Sequence, residues 1–127
     1  MKRIIFIWLS LSILIACKKS EPSPKELLTA GQWKLDKIKV YNDNNLFLSY
    51  SGDIVLDLYD NGRYKNEDRD HNQTEEGDWE LLNNDEDIHF IPDDGDEFTG
   101  HIDELSRNKF SFSGTSNGYE IYVYYKR

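Results

Sequence analysis

The sequence predicts an all-β domain: a small eight-stranded antiparallel up-and-down barrel led by a short helical turn. Three observations lead there. No segment after residue 30 of the 127 carries helical periodicity, whereas apolar residues alternate with polar ones in short runs. Turn sequences part these runs at hairpin length, among them Asp60-Asn61-Gly62, Asn83-Asn84-Asp85-Glu86 and Pro92-Asp93-Asp94-Gly95-Asp96. Strands that follow one another in this way close most simply into a barrel, which leaves no exposed sheet edge.

The chain starts differently. Met1-Lys2-Arg3 is positively charged, and Ile4 to Ala16 is apolar apart from Ser10 and Ser12. That run is short for a membrane-spanning helix, which needs about 20 apolar residues, and fits the apolar stretch of a secretory leader. It ends in Leu14-Ile15-Ala16-Cys17, which resembles the lipobox of bacterial lipoproteins. The resemblance implies a diacylglyceryl group on the Cys17 thiol, cleavage just before it, and acyl chains of the palmitate kind. It places the protein in the cell envelope, lipid-anchored at the outer membrane, with the periplasmic and surface faces both open. Residues 1–16 are thus expected to be a signal peptide, 17–24 the lipidated cysteine and a flexible tether, and 25–127 the barrel domain. Two or three acyl chains on one cysteine would hold the domain firmly, because each buried methylene contributes about 0.8 kcal/mol.

Ser23-Pro24-Lys25-Glu26 has capping-box spacing with Pro at the first helical position, and Gly31 stops the turn, so a helical turn is expected over 24–30. Trp33, Leu35, Ile38 and Val40 form the first strand, with a change of phase after Leu35 that calls for a bulge. Tyr41–Ser51 reads as a loop. Ile54, Leu56 and Leu58 alternate into the Asp60-Asn61-Gly62 turn and a return strand over Arg63–Glu67. Asn66–Glu76 is the longest polar run, a loop or the tip of an extended hairpin. Trp79 and Leu81, then Ile88–Ile91, Phe98–Leu105, Phe110 with Phe112, and Tyr119 to Tyr125 complete the strands.

Leu27-Leu28-Thr29-Ala30-Gly31-Gln32-Trp33-Lys34-Leu35, the Asp60–Tyr64 turn, Gly77-Asp78-Trp79-Glu80-Leu81 and the closing Tyr122–Lys126 strand, in that order, resemble the lipocalin-like domain of small bacterial lipoproteins. The resemblance implies an eight-stranded barrel with Gly31 and Trp33 at its closed end. Two departures stand out. The strands are shorter than in typical lipocalins, and Lys126-Arg127 gives no clear match to the basic residue that covers the lipocalin tryptophan.

Composition narrows the function. The formal charge is −9, and removal of Lys2 and Arg3 with the leader makes it −11, which argues against nucleic-acid binding. Cys17 is the sole cysteine, so an internal disulfide is impossible and the core alone must hold the fold. His71, His89 and His101 are scattered, which argues against zinc. The acids of the turns are ordinary turn residues before they are calcium ligands, and none follows EF-hand spacing. No nucleophile elbow or phosphate loop occurs, so neither enzyme activity nor a cofactor is expected.

The expected inward set is bulky. Trp33, Leu56, Leu58, Trp79, Phe90, Phe110, Phe112, Ile121 and Val123 are the candidate lining of a pocket for a small flat, acyl or otherwise apolar ligand, with Leu81 and Ile102 also inward. Tyr59, Tyr122 and Tyr124 fall on the outer face. The leading reading is a membrane-tethered, non-enzymatic binding module. The alternative is a filled barrel that engages a basic envelope protein through its acidic rim.

Overall fold

Ser23 accepts the Glu26 amide at 3.2 Å and so caps helix α1 (Pro24–Thr29). In the computed structural model, which describes residues 21–127, nine strands follow. They are β1 (Trp33–Asn42), β2 (Asn45–Tyr50), β3 (Ile54–Leu58), β4 (Arg63–Asp68), β5 (Gln73–Leu82), β6 (Asp87–Pro92), β7 (Phe98–Leu105), β8 (Lys109–Ser116) and β9 (Tyr119–Lys126). The leader, Cys17 and the first part of the tether lie outside the described residues.

All pairings are antiparallel. β3 to β9 pair in sequence order, and β1 pairs with β9 to close an eight-stranded barrel. The bulge expected after Leu35 is present: the β1–β9 register shifts between Leu35 and Lys37, which passes over Asp36 and restores the inward phase at Ile38.

β2 is the addition. Tyr41–Ser51, read as a loop, instead completes β1 and forms a hairpin with it, Ile38 pairing Tyr50 and Asn42 pairing Asn45. Asp43 and Asn44 both have positive φ, 50° and 66°, as a two-residue hairpin turn of the primed type requires. The strand escapes sequence reading because its apolar residues do not alternate. Leu46, Phe47 and Leu48 are all exposed, at 56%, 64% and 50%. β2 and β3 run in the same direction along one side of β1, separated by Ser51-Gly52-Asp53.

The polar Asn66–Glu76 run proves to be an extended hairpin. β4 and β5 pair out to Asp68 and Gln73, which leaves only 69–72 as the tip.

The two ends of the barrel differ. One carries α1 and the turns after β3, β5 and β7. Leu28 of α1 is fully buried there beside Trp33, whose indole Nε1 donates to the Leu28 carbonyl at 3.0 Å. Arg127 covers the same place. Its guanidinium lies 3.5 Å from the Trp33 ring centre and donates to the carbonyls of Gly31 (2.9 Å), Leu28 (3.3 Å) and Arg107 (3.1 Å). The unmatched basic residue of the sequence is therefore Arg127, the last of the chain. Helix carbonyls otherwise left without partners are satisfied by these two side chains. This end is closed.

Aromatic rings carry the core upward from Trp33. Phe110 lies 5.5 Å from Trp33, Phe112 5.4 Å from Phe110, and Phe90 5.6 Å from Phe112. Such offset and tilted pairs add to the stabilisation from buried area alone.

Candidate functional site

The opposite end is a mouth, framed by the turns after β1, β4, β6 and β8. A cavity of about 230 Å³ enters the barrel here, lined by Leu56, Tyr64, Phe90, Phe98, Phe112 and Tyr125, with Pro92, Asn66, Glu75 and Asp96. An outer hollow of about 770 Å³ adjoins it and shares Asn66 and Glu75 with it. Strand pairing explains the lining. Leu56 of β3 faces Asn66 of β4, which in turn faces Glu75 of β5, so three inward positions fall in one row.

Glycines make the room. A Cβ at Gly77 would stand 2.8 Å from Tyr64, one at Gly100 2.8 Å from the Phe112 ring, and one at Gly114 2.7 Å from the Phe98 ring. The rings therefore press close against bare backbone and form the cavity wall.

The polar groups are unusual for a barrel interior. The Tyr64 hydroxyl donates to Glu75 Oε1 at 2.7 Å. Burial, and next that hydrogen bond, push the Tyr64 phenol well above its ordinary value. Burial does the same for Tyr125, with the Glu75 charge adding to it, so both phenols stay protonated and neutral. Asn66 Oδ1 is buried and has no hydrogen-bond partner among the described residues.

Of the nine residues expected to line a pocket, Leu56, Phe90 and Phe112 do so. Trp33, Leu58, Trp79 and Phe110 are instead buried in the packed core, where they fill space rather than bound it. Trp79 is fixed there by its Nε1, which donates to the Tyr59 carbonyl at 2.8 Å. Val123 belongs to the same core, and Ile121 is partly buried against it. The lining also uses Tyr64, Asn66, Glu75, Pro92, Asp96, Phe98 and Tyr125, which the alternation did not single out. Tyr125 shares the phase of Ile121 and Val123 and could have been found by it. Asn66 and Glu75 could not, because a polar residue at an inward position reads as an outward one.

Tyr122 and Tyr124 lie together on the outer wall beside Tyr41, with the Tyr41 and Tyr122 rings edge to face at 5.5 Å. Tyr59 is apart from them, against Arg63 and Lys65. His89 bridges Glu80 (3.1 Å) and Glu97 (3.0 Å), while His71 pairs with Asp68 and His101 with Asp87. Among the described residues no three His, Cys, Asp or Glu converge as a metal site.

Comparison with known proteins agrees with this architecture. A crystal structure of a lipocalin-like protein from Bacteroides uniformis ATCC 8492 superposes with a TM-score of 0.58 at 15% identity, covering 80% of this chain and 98% of that one. No curated protein matches the sequence. The family model of the lipocalin-like domain matches residues 29–112, and the chain belongs to that family.

Proposed function

We propose that this protein is a non-enzymatic binding module of the cell envelope that takes a small apolar or aromatic ligand in the barrel mouth. The observation that carries the reading is the cavity of about 230 Å³ between the rings of Tyr64, Phe90, Phe98, Phe112 and Tyr125. Its volume corresponds to about eight molecules of liquid water, so the ligand is small. Aromatic walls with a few placed polar groups are the usual composition of such sites.

Lipidation of Cys17 and retention at the outer membrane belong to the same reading and rest on the lipobox-like Leu14-Ile15-Ala16-Cys17. α1 begins seven residues after Cys17, a span of at most about 25 Å. A tether of that length would enter at the closed end, keep α1 near the bilayer and leave the mouth turned away from it. A lipid-held module beside the membrane meets its ligand at raised effective concentration.

Native mass spectrometry of the full-length chain released from lipid nanodiscs tests the ligand. A co-purified small molecule that is lost in Asn66→Trp, which would occupy the cavity, is the expected result. Bare protein mass in both forms, together with no uptake of added aromatic compounds, rejects it. Cys17→Ser should move the protein from the membrane to the soluble fraction, and unchanged retention rejects the anchor.

The second reading, engagement of a basic envelope protein, draws on the acids of the β6–β7 turn at the rim: Asp93, Asp94, Asp96 and Glu97. Salt-sensitive capture of one basic partner by the intact chain, unaffected by Asn66→Trp, would favour it.

A further inference from the structure

We propose that the mouth cavity selects a small organic cation: a protonated amine carried on a short aromatic or aliphatic body. The inference rests on the reading of the barrel as a small-molecule binding module and names the ligand class.

Charge is the first argument. Every charged side chain that lines the cavity or the outer hollow is a carboxylate: Glu75 and Asp96 within, and Asp68, Glu75, Glu76, Asp93 and Asp94 outside. One of them is compensated: Arg63 clasps Asp93 at 2.7 and 2.9 Å, while Asp68 has the imidazole of His71 at 2.9 Å. Glu75, Glu76, Asp94 and Asp96 have no ion-pair partner among the described residues. An anion entering here would be repelled at every step, so a free fatty acid does not fit, although its chain would suit the walls.

Hydrogen bonding is the second and independent argument. Asn66 Oδ1 is a buried acceptor without a donor. Tyr125, only 8% exposed, lines the same cavity, and no described residue hydrogen-bonds its hydroxyl. Glu75 receives one hydrogen bond, from Tyr64, and a carboxylate can accept several more. The Tyr125 hydroxyl and the Asn66 amide can donate as well as accept, but the carboxylate oxygens of Glu75 and Asp96 only accept, so acceptors remain in excess of donors. An ammonium group is the complement, with three donors and no acceptor.

The walls are the third. The rings of Tyr64, Phe90, Phe98, Phe112 and Tyr125 border the space, and aromatic faces attract cations, most strongly where water is excluded. They accommodate the apolar body of the same ligand. A cation on an apolar body satisfies the walls, the acceptors and the carboxylates together.

Three probes of one shape separate the possibilities. Calorimetric titration of the full-length chain in nanodiscs with 2-phenylethylammonium, 2-phenylethanol and 3-phenylpropionate, at neutral pH and low salt, reads the preference, with empty discs as the blank. The cation should bind at least roughly tenfold tighter than the alcohol, as expected of one charge-assisted contact, and the carboxylate should not bind. Molar sodium chloride should narrow the gap. Glu75→Gln should bring the cation's affinity down toward that of the alcohol. Asp96→Asn, on an exposed turn where folding is not in question, should reduce the cation's advantage in the same sense. Alcohol or carboxylate binding as tight as the cation's overturns the proposal and leaves the binding-module reading standing. No binding by any of the three overturns both.

Discussion

Arg127, the last residue of the chain, lies with its guanidinium 3.5 Å from the centre of the Trp33 ring, the first residue of β1. It joins the two ends of the barrel domain and holds the carbonyls that α1 leaves open. Removal should therefore loosen the closed end. Arg127→Ala is expected to lower unfolding free energy by about 1–3 kcal/mol, the worth of a cation–π contact and shared hydrogen bonds at a partly covered site. Arg127→Lys should recover only part, because an ammonium cannot stack flat and serve three carbonyls at once. Urea titration followed by tryptophan fluorescence reads both, and full recovery by lysine would show that charge alone matters.

How much of this was legible depends on where each signal lies. The alternation of Leu56 and Leu58, the glycine turn at Gly62 (φ +88°) and the phase change after Leu35 are local, and each has its structural counterpart. Arg127 could not be matched because its partners, Leu28 and Gly31, lie almost a hundred positions away. β2 was unreadable because Leu46, Phe47 and Leu48 follow one another without alternating and all stay mostly exposed. The cavity was only half legible. Leu56, Phe90 and Phe112 follow the apolar pattern, whereas Asn66 and Glu75 break it by turning polar groups inward.

Gly77 is required by close approach rather than by its backbone angles. A methyl there would meet the Ile91 carbonyl, the Pro92 Cα at 2.7 Å and Tyr64 at 2.8 Å. Backbone cannot yield as a side chain can. Gly77→Ala should cost about 2–3 kcal/mol. Gly31→Ala is the control, since its nearest neighbour would be Arg127 Nε at 3.8 Å, and it should stay within about 0.5 kcal/mol of the parent. Paired denaturation curves decide, and equal losses at the two sites would contradict the steric argument.

Asp93 links stability to acid. Hydrogen bonds from Arg63 hold its carboxyl below the ordinary 3.8, against a smaller opposing effect of burial. A depressed folded-state pKa contributes stability that is complete above the unfolded value and fades as pH falls through the folded one. The melting temperature of Asp93→Asn should therefore lie below that of the parent at about pH 6, and the gap should narrow as pH falls below the ordinary 3.8 and the parent's carboxyl takes up its proton. The exposure of the pair keeps the gap small. A gap that persists unchanged in acid would mean that the Arg63–Asp93 contact works through shape and not charge.

β2 stands outside the closed ring, and its outer edge pairs with no described strand. Phe47 has a ring neighbour in Tyr119 at 5.4 Å, yet remains mostly exposed. Replacing Phe47 by Ser and Leu48 by Thr together should change stability by no more than about 0.5 kcal/mol each, as for surface positions generally. The same pair should raise the concentration at which the protein begins to self-associate, because an apolar edge strand is a template for pairing. Light scattering against concentration checks this. A large loss of stability instead would make β2 part of the barrel's core.

Asn66 separates the needs of folding from the needs of binding. A buried acceptor with no donor costs roughly 1–3 kcal/mol relative to the same atom in water. Nothing in the fold requires the amide there, since its strand hydrogen bonds come from backbone and its neighbours across the ladder are Leu56 and Glu75. Asn66→Leu has nearly the same volume and removes the unpaired group. The empty barrel should accordingly gain about 1 kcal/mol and melt higher. Ligand affinity should fall in the same variant, because Asn66 lines the cavity and leucine removes its polar amide from the wall. Stability and affinity moving in opposite directions, read by thermal melts and by titration with 2-phenylethylammonium, is the outcome expected of a group retained for binding. If Asn66→Leu lowers both, the amide is a structural member of the Tyr64–Glu75 cluster and the assignment of its role is wrong.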